Sequence, residues 1–326
     1  MFSYRSILKQ SWNIAWKNKY LWLFGLFASI AAASGSFEYQ VLANGLQANA
    51  LENSYYHING LLVVLNAFGS FCSGFLHLFS YDIFTIINTL TVLIITITLI
   101  VTFVWLSISS QAALVISAKE LIVAKKKTPI LNIRESISKG HLHFWPVLGL
   151  NVLIKILVGL ALFIISVPLL FLAINGSGYL AGIYVLSFII FTPIAVSLSL
   201  IIKYAIAYNV LNKESFCSSL KKSIKLFSNN WLISVEMGII LFIVSFLAGF
   251  LLLLIISIFI FPYLVFAANY GLAGLLIFLL FIVLALILFT GAFLTTFQVS
   301  AWTNLFLELE EGRGEAKLER IFKKKV

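Results

Sequence analysis

Charged residues are scarce in this chain. Only 10% of its 326 residues are Asp, Glu, Lys or Arg, while 61% are hydrophobic. Soluble domains carry roughly a quarter charged residues. A water-facing surface of this size cannot be built from so few, so the apolar excess must face lipid. Cysteine is also scarce, and Cys72 and Cys217 cannot make a disulfide framework. With no CxxC and no Cys/His spacing, there is no zinc site to expect. The chain lacks HExxH, a P-loop, GxSxG and a dinucleotide fingerprint. The histidines are His57, His77, His141 and His143. A His-x-His pair on a helix points its rings apart, so a shared metal is not expected. Glu38, Glu52 and Asp82 are too scattered to form an acid/base pair. The reading is of a non-enzyme with no catalytic residue, no metal and no cofactor.

The charge that is present is mostly positive, 22 Lys and Arg against 12 Asp and Glu, for a net +10. The basic residues sit beside apolar runs and no nucleic-acid reading motif occurs. The expected partners are therefore membrane lipids, through anionic headgroups, and other membrane proteins, not nucleic acid.

A spanning helix needs about 20 mainly apolar residues. Six stretches meet or approach this, over residues 20–34, 84–117, 144–174, 179–209, 231–261 and 272–307. The fold class is all-α: a polytopic transmembrane helix bundle within one domain, 1–310, followed by a charged tail, 311–326. Charge placement supports the count. The segment 35–82, the turn at 176–178 and the turn at 262–271 contain no Lys or Arg, and every other connection is basic. The positive-inside rule then puts both termini in the cytoplasm and the loop 35–82 outside, in a cytoplasmic (inner) membrane. Residues 60–80 are apolar, yet a seventh span there would move every later basic loop outside. They read as an interfacial or re-entrant helix. The first span has two readings, a cleaved leader ending near Ala31-Ala32-Ala33-Ser34, or a retained helix with Gly25, Ser29 and Ala33 as a packing stripe. The retained helix is the one expected here. Pro168 and Pro193 should kink the third and fourth spans.

A short basic amphipathic segment ending in an aromatic precedes spans one, three and five: SYRSILKQSWNIAWKNKYLW, TPILNIRESISKGHLHFW and SFCSSLKKSIKLFSNNW. Ser3, Thr128 and Ser215 are N-cap residues by type. Tyr4, Leu8, Trp12 and Ala15 make one apolar stripe. Ile130, Ile133, Ile137 and Phe144 make the second, and Phe216, Leu220, Ile224 and Phe227 the third. Such helices lie at the headgroup plane, and Trp22, Trp145 and Trp231 then fall at belt positions as interfacial anchors. The architecture expected is three repeated units, each an interfacial amphipathic helix plus a transmembrane hairpin, the first with a large external insertion. The second copy with its approach, QAALVISAKELIVAKKKTPILNIRESISKGHLHFWPVLGLNVL, resembles a group of prokaryotic six-span integral membrane proteins of unknown function. These are similar to the membrane domain attached to some glycerophosphodiester phosphodiesterases. KKSIKLFSNNWLISV and TTFQVSAWTNLF fit the same pattern. The resemblance implies the six-span fold and supplies no catalytic residues, and no phosphodiesterase domain is present.

Lys155 and Glu236 are the two ionisable residues inside apolar spans, and such residues are functional candidates by default. They lie roughly 16 Å and 8 Å along their helices at 1.5 Å per residue. They would form a buried pair or part of a polar path, or else snorkel and sit near water. Thr91, Thr98, Thr102 and Ser109 share one face of the second span. They would line a path, or else bond their own helix's carbonyls. The function expected is that of a non-catalytic accessory, scaffold or lipid-interacting protein. The alternative is a transporter or permease for a small or lipidic substrate, in which these polar residues converge on one cavity.

Overall fold

The structure, a computed structural model, describes residues 3–32, 82–123, 133–175 and 178–312. The expectations for the loop segment 35–81 (with Cys72, His57 and His77), for Thr128 and Ile130, and for the tail beyond 312 lie outside the described residues. Every regular element among the described residues is helical. In chain order these are α1 (Tyr4–Lys17), α2 (Tyr20–Ala32), α3 (Ile83–Val123), α4 (Ile133–His141), α5 (Phe144–Asn175) and α6 (Gly178–Asn212). They are followed by α7 (Phe216–Asn229), α8 (Trp231–Ile255), α9 (Phe261–Asn269) and α10 (Ala273–Glu310), with a π-helical turn (Ile256–Ile260) joining α8 to α9.

Among the described residues, five stretches are long and apolar enough to cross a membrane: α3, Phe144–Ala161 of α5, Val185–Asn212 of α6, Trp231–Asn269 and α10. Their apolar side chains are largely exposed, Ile94, Phe246, Leu253 and Phe281 among them. In water this would be prohibitive, whereas in hydrocarbon it costs nothing, and a helix satisfies its interior backbone groups within itself. The described residues are therefore all helical outside their turns and fit a multi-pass membrane protein. The first apolar helix is described over the 13 residues of α2, a rise of about 20 Å.

Two boundaries differ from those read in the sequence. The second span's helix continues to Val123, because Ser117 and Ala118 are buried and Leu121 and Ile122 pack against the core rather than entering a loop. The fifth continues past Phe261 to Asn269, so the turn shrinks to Tyr270–Leu272, where Gly271 takes φ +65°. Pro262 sits in the first turn of α9, where its missing N–H is tolerated, and the π turn just before it absorbs the misfit. Helix α6 runs through Pro193 without ending.

The chain divides into two compact units. The first holds α1, α2, the end of α3 from Leu106, α4, α5 to Asn151, α6 from Leu200, and α7 to α10. Its larger core joins Tyr4, Ile7 and Ala15 of α1 to Tyr204 and Tyr208 of α6, Met237 and Leu241 of α8, and Phe297, Ala301, Leu305 and Phe306 of α10. A smaller core joins Ile14, Leu21, Phe24 and Ala28 to Ala113 and Leu114. Helix α2 lies along α10, and the contact is set by Gly25. A Cβ there would stand 2.3 Å from both the Ala292 carbonyl oxygen and Thr296 Oγ1. Thr296 in turn donates to the Leu21 carbonyl at 3.2 Å. The second unit holds α3 up to Trp105, α5 from Val152 and α6 up to Ser199, and exposes mostly aliphatic side chains.

Candidate functional site

The amphipathic helices do not rest on the bundle by their apolar stripes alone. Helix α1 buries Tyr4, Ile7, Ser11, Ile14 and Ala15, whereas Trp12 and Trp16 point outward. The buried stripe is rotated from the one expected through Leu8 and Trp12, because a serine packs closely where an indole does not fit. The same preference recurs on α4, which buries Ser136 and Gly140, and on α7, which buries Ser219 and Ser223. A Cβ on Gly140 would stand 2.4 Å from the Ser109 carbonyl oxygen, so α4 seats directly on α3. Ser136 Oγ lies 3.2 Å from Ser117 Oγ at this seat. The expected side-chain caps are not made: Ser3 and Ser215 occupy N-cap positions in extended backbone without side-chain cap bonds. The C-caps match instead. Asn18 Nδ2 donates to the Ile14 carbonyl at 3.0 Å, and Asn230 Nδ2 donates to the Leu226 carbonyl at 3.1 Å.

Hydrogen bonds between helices lace this end of the first unit. Gln10 is central: its amide donates to the Ile122 carbonyl at 3.4 Å, and its oxygen accepts from Asn304 at 3.1 Å. Asn151 donates to Gln111 at 2.8 Å, with both residues buried. Tyr204 and Ser234 hydroxyls lie 2.8 Å apart, and Gln298 donates to Ser245 at 2.6 Å. The Lys203 ammonium lies 4.9 Å from the Trp302 ring centroid, a cation–π distance. These amides are neutral, so they do not stand out in the sequence as ionisable residues in apolar spans do. Four of them, Gln111, Asn151, Gln298 and Asn304, sit inside apolar runs, where a polar side chain signals helix-to-helix bonding.

The Tyr4 hydroxyl donates to Glu236 Oε2 at 2.5 Å, tying α1 to α8. Lys155 belongs to the second unit and is exposed. Thr91, Thr98 and Thr102 also belong to that unit, are exposed, and donate to the carbonyls of Ile87, Ile94 and Thr98 at 2.7–2.8 Å. Ser109 is buried in the first unit, beneath Gly140. Trp22 belongs to an aromatic cluster with Trp16, Phe289 and Phe293, and its indole donates to the Ala15 carbonyl at 2.6 Å. Trp145 and Trp231 open their spans with 76% and 57% of their surface exposed.

Charges on the amphipathic helices fall into two groups. Lys139 pairs with Glu120 at 3.2 Å and Glu135 at 3.0 Å, which hold its ammonium above the usual range. Lys222 pairs with Glu214, which also accepts from Ser218, and these donors hold the Glu214 carboxyl below the usual range. Arg5, Lys9, Lys17, Lys19, Arg134, Lys221 and Lys225 are exposed. At the α4–α5 corner burial pushes His143 down, against the pull of Asn209, and Lys213 adds to the depression. Among the described residues no group of three or more metal-ligating side chains converges. Comparison with protein-family models, curated proteins and solved structures finds no match to the chain.

Proposed function

We propose that the chain is a six-span protein of the prokaryotic cytoplasmic membrane with both termini inside. In this reading it works as a non-catalytic lipid-interacting or scaffold protein, built from three copies of an interfacial helix plus a transmembrane hairpin. The observation that carries it is the three-way division of α1 and α7. One flank of each is buried in the bundle, through Ser11 and Ser223. A second presents apolar residues outward, Trp12 with 46% and Ile224 with 48% exposed. A third presents Lys9 and Asn13, or Lys221 and Lys225. A helix with protein on one side, apolar residues on the next and cations on the third belongs at a membrane surface.

The repeat is supported by register. Residues 3–18, 128–143 and 215–230 align without a gap. Ser3, Thr128 and Ser215 then coincide, as do Leu8, Ile133 and Leu220. Lys9, Arg134 and Lys221 coincide, as do Ser11, Ser136 and Ser223, and Asn18, His143 and Asn230. All three serines at the fourth of these places are fully buried. The resemblance to six-span proteins of unknown function agrees with this plan, with α2 as the first span.

Native mass spectrometry of the gently solubilised protein tests the function. Retained phospholipid supports the lipid-interacting reading, and a stoichiometric protein partner supports the scaffold. A bound water-soluble small molecule, with uptake of it into reconstituted vesicles, overturns both in favour of transport.

A further inference from the structure

We propose that Lys9, Arg134 and Lys221 form three equivalent sites for the phosphate group of anionic phospholipids in the cytoplasmic leaflet. The proposal deepens the lipid-interacting reading and rests on it. Three independent features converge on these residues. They occupy one register position, two places before the buried serine that fixes each helix's rotation, so each side chain leaves its own helix at the same angle from that serine. All three are exposed, and among the described residues none of them joins an ion pair. The neighbouring cations differ: Lys139 is neutralised by Glu120 and Glu135, and Lys222 by Glu214. Surface ion pairs therefore neutralise some of the charge on these helices and leave this triplet unneutralised.

The third feature is the residue one turn on. Trp12, Ile137 and Ile224 follow the three cations at i+3, on the adjacent face. Trp12 and Ile224 are half exposed, and Ile137 is half buried. Trp12 also stands edge-on to Phe293 at 5.0 Å, which continues its apolar face onto α10. A cation flanked by an apolar shoulder suits a phospholipid, whose phosphate meets the ammonium or guanidinium while its glycerol and upper acyl carbons meet the shoulder. A soluble phosphate would use the cation only.

The test is native mass spectrometry of the detergent-solubilised full chain with added phosphatidylglycerol, phosphatidylcholine or glycerol phosphate. The wild-type chain should hold up to three phosphatidylglycerol molecules in preference to phosphatidylcholine, and excess glycerol phosphate should not displace them. The triple variant Lys9→Gln, Arg134→Gln, Lys221→Gln should lose them, while the charge-matched Lys17→Gln, Lys19→Gln, Lys225→Gln should keep them. Each single variant of the first set should weaken binding about fivefold, the effect of one basic residue at an anionic surface, and these singles decide the matter where the triple variant does not fold. Equal loss in both triple variants, equal binding of phosphatidylcholine, or displacement by glycerol phosphate overturns the proposal. Failure of the underlying membrane reading looks different: Cys217 would then react with an impermeant maleimide from outside intact cells.

Discussion

At Gly25 the contact between α2 and α10 leaves no room for a side chain, since the Ala292 carbonyl is backbone and cannot step aside. Gly25→Val should push the helices apart and cost about 1–3 kcal/mol by overpacking, read as a lower melting temperature in detergent. Gly159→Val, where a Cβ meets nothing within 4 Å, should leave it unchanged. The close approach at Gly25 was legible in the sequence as one place of a small-residue stripe, of which Ser29 is only partly buried and Ala33 lies outside the described residues. The partner of Glu236 was not legible, because Tyr4 lies 232 positions away and periodicity is blind to such contacts. A double-mutant cycle separates the two accounts of Glu236. Tyr4→Phe and Glu236→Gln should be non-additive in thermal stability, each removing one end of the same bond. Additivity between them would return Glu236 to the list of unassigned intramembrane charges.

Among the elements, amphipathy told that α1, α4 and α7 exist and that they are surface helices, but not which way each is turned. Apolar counting placed Leu8 and Trp12 at the centre of the α1 face, whereas the helix is turned by Ser11 and Ile14. The helices' attachments also carry a pH signature. Glu214 has its carboxyl lowered by Lys222 and Ser218. Its contribution is present above the ordinary carboxylate range and lost as pH falls through the lowered value. His143, lowered by burial, follows the same sign: its neutral form suits the fold, and protonation on acidification works against it. Lys139, raised by Glu135 and Glu120, runs the other way, with a contribution present below the ordinary lysine value and lost as pH rises through the raised one. The start of α7 should therefore loosen in acid and α4 should loosen in strong base. Glu214→Gln should reproduce the acid behaviour at neutral pH, as faster amide exchange over 216–222 with none added over 133–141. Equal acceleration in both helices would mean that the pairs do not act locally.

For the molecule as a whole, composition alone settled that the chain is apolar enough to live in lipid, and the exposed aliphatic faces of α3, α8 and α10 bear that out. The proposed orientation rests on charge: under positive-inside sorting the basic connection around Lys213, Lys221 and Lys225 would be cytoplasmic and the uncharged turn at Tyr270 external. One continuous stretch, Trp231–Asn269, separates those two places by 39 residues, which at about 1.5 Å per residue exceeds the hydrocarbon thickness even with the π turn in its path. Cys217 is exposed at the near end and Tyr270 at the far end. In a Cys72→Ser background, Tyr270→Cys should therefore react with an impermeant maleimide on intact cells (outer membrane permeabilised, if there is one), while Cys217 reacts only after the inner membrane is opened. The reverse pattern would invert the protein and put the three amphipathic helices on the outer face, away from the anionic leaflet. Labelling of both from outside would mean that Trp231–Asn269 folds back without crossing, and the proposed count of six spans would fail at that helix.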